Sequence, residues 1–180
     1  MNSAPGLGPD GPALDVKRIV GTLDRRGVSY LLIGGLGATL YGAERVTQDI
    51  DVLPRTDAEN LARLAVALRD LGAFLRVGGL SDEEARALPV VIDGHSLAAT
   101  EVTTWRTDAG DIDVLATIRG ERGERRKFAD LVDRANETVV TGVTVRVASL
   151  RDIVESKRFA GRDKDRDALP ELERLLERDD

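Results

Sequence analysis

Two identical strings, Asp49-Ile50-Asp51-Val52-Leu53 and Asp111-Ile112-Asp113-Val114-Leu115, carry the residues best suited to chemistry. Side chains two apart on a strand project from one face, so each string would present a carboxylate pair with aliphatic residues packed behind it. Adjacent strands lie about 4.8 Å apart, and residues i and i+2 roughly 6.5–7 Å apart. Side by side, the two strings would gather three or four carboxylates in one small volume. Like charges that close resist joint ionisation. Hard divalent cations resolve the conflict, and two of them about 3.5–4 Å apart form a clamp suited to phosphoryl and nucleotidyl transfer. Upstream, Gly34-Gly35 follows the apolar run Tyr30-Leu31-Leu32-Ile33. Backbone amides at a glycine turn that opens a helix point outward and make a seat for an anion. Either DxD alone is accounted for by a solvated strand end. An anion seat and two carboxylate strands together suit a metal-bound polyphosphate.

The elements that must position these groups follow from periodicity. Tyr30–Ile33 reads as a buried strand, Leu36–Tyr41 as a short helix, and Gly42–Gln48 as a loop into the first DxD strand. Val16, Ile19, Val20 and Leu23 have helical spacing within 14–26, with Gly27 as the stop. Thr56-Asp57-Ala58-Glu59 has the form of a capping box that opens a helix through Leu71, and Ser81-Asp82-Glu83-Glu84 the form of a second, closed by Pro89. Phe74–Val77, Val90–Ile92 and Glu101–Trp105 read as strands, and Glu124–Ala135 as a charged helix. A hairpin turns at Thr141-Gly142. Ser149 caps a helix to Phe159 that ends at Gly161, and Asp163 caps a last one, interrupted or restarted at Pro170. The intermingled strands and helices predict an α/β (α+β) fold: a mixed β-sheet flanked by helices, with C-terminal helices.

Composition narrows the function classes. The chain has 180 residues, 42% of them apolar, and only 3% aromatic, so the core must be mainly Leu, Val, Ile and Ala. Residues 1–13 read as a disordered Pro/Gly-rich tail, and 14–180 as a single domain with a C-terminal helical segment over 149–180. No apolar run approaches the ~20 residues that span a bilayer, and the N-terminus lacks the charged start and apolar centre of a signal peptide. With no cysteine there is no disulfide framework. A cytoplasmic setting without membrane partners is expected. A net charge of −6 argues against an unselective nucleic-acid coat, although short basic stretches occur near the C-terminus. His95 has no second His or Cys to share a zinc ion. Trp105 reads as core rather than a base-stacking platform, and Glu121–Lys127 as solvated surface or one edge of an RNA groove.

Gly34-Gly35 followed by Arg45-x-Thr47-x-Asp49-x-Asp51 resembles the nucleotidyltransferase superfamily typified by DNA polymerase β. More narrowly, it is similar to the minimal nucleotidyltransferases of toxin–antitoxin systems, the AbiEii and MenT-type toxins. Ser156-Lys157-Arg158-Phe159-Ala160-Gly161-Arg162-Asp163-Lys164-Asp165 is similar to a K…GR.KD pattern in that group, and the matching motifs run from about residue 30 to 165. The superfamily commonly has Gly-Ser in the turn. Here no serine follows Gly34-Gly35, so backbone amides must replace a hydroxyl contact to phosphate.

The resemblance implies that Asp49, Asp51 and a third carboxylate hold two Mg²⁺ ions, with Mn²⁺ as the alternative, and are the catalytic residues. Asp111 and Asp113 compete for the third place. Asp113 is chosen, because Ile112 and Val114 flank it as strand interior while Asp111 follows Gly110 at the strand's edge. Gly34, Gly35, Arg45, Thr47, Lys157 and Asp165 would form the nucleotide site, Lys157 as a triphosphate contact and Asp165 as its partner or as the partner of Arg162. Thr47 is where some relatives carry a hydroxyl phosphorylated by an antitoxin kinase, and about two added negative charges there would repel a triphosphate. The implied reaction moves a nucleoside monophosphate from an NTP to a hydroxyl, the 3′ end of tRNA, with a cognate antitoxin as partner. Two other readings compete: a small-molecule (aminoglycoside-type) nucleotidyltransferase, and a catalytically silent NTP-binding domain.

Overall fold

The structure is a computed structural model and describes residues 11–44 and 46–179. Asp15 caps helix α1 (Val16–Arg25) by accepting from the Arg18 N–H, and Ile19, Val20 and Leu23 form its buried face. Strand β1 (Tyr30–Ile33) runs straight into α2 (Gly34–Thr39). This helix starts at the first glycine, two residues earlier than the apolar pattern suggests, because Gly34 itself supplies the sharp bend at φ 63°. Strand β2 (Asp49–Pro54) carries the first carboxylate pair.

Helix α3 (Ala58–Asp70) is capped by Asp57, whose carboxylate accepts from the Asn60 N–H. The capping box expected from Thr56 and Glu59 does not form: the N-cap is Asp57, one residue later, and Glu59 pairs with Arg63 instead. Asn60 is fully buried. Its side chain bonds both backbone groups of Ser29 and the Arg55 carbonyl, fastening α3 to the ends of β1 and β2. Strand β3 is only Phe74–Leu75. The Ser81–Glu84 capping box does form, at the head of α4 (Asp82–Arg86). Val90–Ile92 is not a strand; the chain there leads into α5 (Gly94–Ala98), capped by Asp93.

Strands β4 (Val102–Thr107) and β5 (Gly110–Leu115) form a hairpin, followed by the small pair β6 (Ile118–Arg119) and β7 (Arg125–Arg126). The helix expected over Glu124–Ala135 is reduced to α6 (Phe128–Leu131) with a 3-10 turn at Val132–Arg134. Arg125 and Arg126 are drawn instead into the β6–β7 ladder. Hairpin β8 (Asn136–Val140) and β9 (Val143–Val147) turns at Thr141-Gly142 as expected. Ser149 caps α7 (Leu150–Ala160), which Gly161 ends in the left-handed conformation. Helix α8 (Asp163–Asp179) continues through Pro170 without a break.

The seven main strands lie in the order β3-β4-β5-β2-β1-β9-β8. The sheet is mixed: β2 pairs in parallel with β5, β1 in parallel with β9, and the other pairs are antiparallel. Helices α1, α3 and α5 pack in one group and α2, α7 and α8 in another. Leu31, Leu32, Ile50, Leu53, Leu64, Leu68 and Ile112 are fully buried, so the centre of the sheet is the core. Trp105 is part of it, at 2% exposure, and its indole N–H donates to Thr103 Oγ1. Among the described residues no helix is long and apolar enough to cross a membrane.

Candidate active site

The two DxD strings are neighbours. In the parallel β2–β5 pair, Asp49 stands opposite Asp111 and Asp51 opposite Asp113. Ile50 and Ile112 point into the core, which turns all four carboxylates to the other face.

The four do not behave alike. Asp111 is neutralised: Arg106 donates to it through Nε at 2.9 Å and Nη2 at 3.2 Å, and Arg76 through Nη1 at 2.6 Å. Arg106 is itself buried and also grips Asp82 at 2.9 and 3.0 Å, so this corner is an ion-pair network with its charges matched. Asp113 has no such partner. Its Oδ1 is buried and makes no hydrogen bond. Burial pushes its carboxyl above the usual range; a hydrogen bond from Thr104 opposes the rise, and the Asp49 charge adds to it. Asp51 is pushed up to about 6, first by burial, then by the charges of Asp49 and Asp113, against a hydrogen bond from the Gly35 N–H and the charge of Lys164. Asp49 is held by Thr47, whose hydroxyl bonds the Asp49 carbonyl at 2.9 Å and its carboxylate at 3.1 Å.

The glycine pair explains how β1 and β2 come this close. A Cβ on Gly34 would lie 1.8 Å from Asp51 Oδ2, and one on Gly35 would lie 2.9 Å from Thr47 Oγ1. Only a residue without a side chain fits at Gly34, where φ is 63° as well. The Gly35 amide points at the Asp51 carboxylate.

A cavity of ≈ 350 Å³ opens over these residues, lined by Gly34, Gly35, Thr47, Asp49 and Asp51 on one side and by Lys157, Arg162 and Lys164 on the other. Ala38, Ile153 and Leu172 form part of its apolar wall. Asp113 is half-buried beside Asp51 on the same face of the sheet, whereas Asp165 is fully buried. Lys157 Nζ lies 3.2 Å from Asp165 Oδ1, and Arg162 Nε 2.6 Å from Asp165 Oδ2, so Asp165 serves both partners that the sequence offered as alternatives. Arg45 falls outside the described residues. His95 is exposed on α5.

Sequence reasoning gave Arg162 only a pairing with Asp165 and gave Lys164 no role, although both sit in the late motif. Their signal was present in the spacing: Lys157 and Lys164 are seven apart, two turns of helix, but Gly161 breaks the helix between them. Only the turn into α8 brings both to the cavity.

The donor set fits a hard cation. The carboxylates supply oxygen only, one buried oxygen has no partner, and the pair Asp51–Asp113 repels. Among the described residues no three of these groups are drawn in close enough to form a ready-made cage.

No family model matches the sequence, and no curated protein does. Solved structures do. LnuA, a lincosamide antibiotic adenylyltransferase with lincomycin bound, superposes with a TM-score of 0.56 at 16% identity, over 91% of this chain and 99% of that one. This chain has the nucleotidyltransferase fold. A Thermotoga maritima chain assigned to the nucleotidyltransferases, TM1012, shares the fold at a TM-score of 0.52 and 19% identity, over 87% of this chain and 88% of that one. So does ANT(2″)-Ia in complex with adenylyl-2″-tobramycin, at a TM-score of 0.52 and 15% identity, over 89% and 91%. The fold places the DxD strand β2 and the glycine turn at a single cavity.

Proposed function

We propose that this protein is a metal-dependent nucleotidyltransferase that moves a nucleoside monophosphate from an NTP to a hydroxyl group and releases pyrophosphate. The observation that carries the reading is the in-register pairing of Asp51 with Asp113, whose buried oxygen has no partner, beside a cavity with cations on its far side. Asp49, Asp51 and Asp113 would hold the two Mg²⁺ ions; Asp111, taken by Arg76 and Arg106, would not. The ions would supply Lewis-acid stabilisation of charge on the transferring phosphate. The acceptor oxygen forms a bond to the α-phosphorus, the bond from that phosphorus to the bridging oxygen breaks, and pyrophosphate leaves with the electron pair. Asp113 takes the hydroxyl proton. Thr47 holds the Asp49 carboxylate in place, and Lys157 faces the triphosphate.

For the acceptor, a small-molecule hydroxyl is the reading that the comparisons favour. LnuA is matched over 99% of its own length, so this fold reaches a lincosamide adenylyltransferase without a large added domain. The second reading is transfer to a tRNA 3′ end by the toxin of a toxin–antitoxin pair. It draws on the late-motif resemblance and on the cationic side of the cavity, which suits an anionic acceptor better than a polycationic drug.

The deciding experiment incubates the protein with Mg²⁺ and each α-labelled NTP in turn, against total tRNA in one arm and a panel of lincosamides and aminoglycosides in the other. Label in one arm, lost in Asp49→Ala, names both acceptor class and nucleotide. No label in either arm, with NTP binding retained, leaves the silent NTP-binding domain as the correct reading.

A further inference from the structure

Arg162 lines the same cavity as Asp49 and Asp51 and, among the described residues, is held there through its Nε. It follows Gly161, the left-handed residue at φ 57° that ends α7, and its Nε donates to Asp165 Oδ2 at 2.6 Å. Asp165, in the first turn of α8, is fully buried, and its other oxygen takes Lys157 Nζ at 3.2 Å. Each carboxylate oxygen therefore holds one cation. A buried carboxylate so engaged is a poor contact for a nucleotide, whose phosphates it would also repel.

Two cations on one anion leave a net positive charge at the cavity wall. That charge resides where solvent reaches: the Arg162 side chain is 62% exposed, against 16% for Lys157. A guanidinium bonded at Nε keeps the edge formed by its two terminal nitrogens for a second partner, the fork that suits a phosphate. The Arg162 pKa is raised, first by its hydrogen bond to Asp165 and, among smaller causes, by the charges of Asp51 and Asp113.

We propose that Arg162 is a phosphate-binding residue of this site, taking non-bridging oxygens of the NTP and then of the leaving pyrophosphate, and that Asp165 is its positioning residue with no nucleotide contact of its own. The assignment rests on the nucleotidyl-transfer reading and replaces the role that the late motif suggested for Asp165.

Calorimetric titration of the full chain with Mg²⁺ and inorganic tripolyphosphate tests it. Arg162→Ala should weaken binding about tenfold or more, the loss expected when a charge-assisted hydrogen bond is removed. Arg162→Lys should recover only part, because an ammonium lacks the fork. In an Asp165→Asn background the same Arg162→Ala change should cost much less, since the arm is no longer aimed. Unchanged affinity in Arg162→Ala, or no binding by the unaltered protein, overturns the proposal. A full Arg162→Ala loss retained in Asp165→Asn overturns the positioning role. Arg162 is exposed, so its variants keep the test independent of whether Asp165→Asn folds. Label transfer from NTP to an acceptor is a separate readout; its absence with every NTP is the failure of the nucleotidyl-transfer reading itself.

Discussion

Asp113 stands opposite Asp51 across the parallel β2–β5 pair with one oxygen buried and unpartnered, while Asp111, two residues earlier on the same strand, is bonded by two arginines. The same five-residue string thus yields one carboxylate without an arginine partner and one committed to an ion-pair network. Asp113→Asn should therefore leave stability unchanged or raised and remove the increase in melting temperature that Mg²⁺ or Mn²⁺ gives the unaltered protein. Asp111→Asn should lose about 2–4 kcal/mol by stranding Arg76 and Arg106. Urea unfolding, and thermal melts with and without metal, separate the two.

The Asp51 carboxyl, pushed up to about 6, sets a pH signature. A carboxyl raised on folding binds its proton more tightly in the folded chain, so it imposes no penalty below the unfolded value of 3.8. Its cost grows as pH rises from there and is complete above about 6, where it reaches about 2–3 kcal/mol. Asp51→Asn should accordingly stabilise the metal-free protein at pH 7.5 and have little effect at about pH 4. Added Mg²⁺ should stabilise the unaltered protein more at the higher pH, where the carboxylate is already ionised, because at the lower pH the ion must displace a proton to bind. An Asp51→Asn effect that does not change between the two pH values would contradict this.

Gly34 carries both a left-handed φ of 63° and an approach that a Cβ would bring to 1.8 Å from Asp51 Oδ2. Gly34→Ala should cost about 1–3 kcal/mol from backbone conformation alone and displace the β2 carboxylate. Gly142, also at positive φ but with open space around its Cβ position, is the control. Gly142→Ala should lose stability without changing metal response.

Asp152 is 1% exposed and is held by Arg126 at 2.9 Å, Arg134 at 2.7 Å and the Ser149 hydroxyl at 2.6 Å. Burial works against its charge, but the bonds from Arg134 and Ser149 outweigh burial and leave its pKa lowered. A lowered carboxyl stabilises the fold above its unfolded value and loses that contribution as pH falls through the folded one. Asp152→Ala should cost about 1–3 kcal/mol at neutral pH, because the buried cap of α7 and the Arg134 pair are lost while Arg126 keeps Glu124 and Glu155, and less in strong acid. Denaturant midpoints across a pH series check the sign.

Local chemistry made several parts of this protein legible without coordinates. Period-two aliphatics required that both DxD strings be strands with their carboxylates on one face, and the Ser81–Glu84 box and Gly161 marked helix ends, because each satisfies backbone groups within its own few residues. The sheet order was not of this kind. That β2 and β5 are parallel neighbours, rather than distant strands with the same sequence, depends on how the residues between the two strings, 54–110, pack. The same holds for what separates Asp111 from Asp113: the strand-edge argument treats them differently from sequence alone, but the arginines that engage Asp111 come from β4 and from the segment after β3. Glu124–Ala135 has helix-forming composition and still gives up Arg125 and Arg126 to a β ladder, because a pairing partner was available at Ile118–Arg119. Pro170 lies inside an unbroken helix that packs on α7. Asp165 shows the division most clearly. Its type and spacing called for a cation; only the turn at Gly161, which folds α8 back on α7, decided that it would bury itself between two.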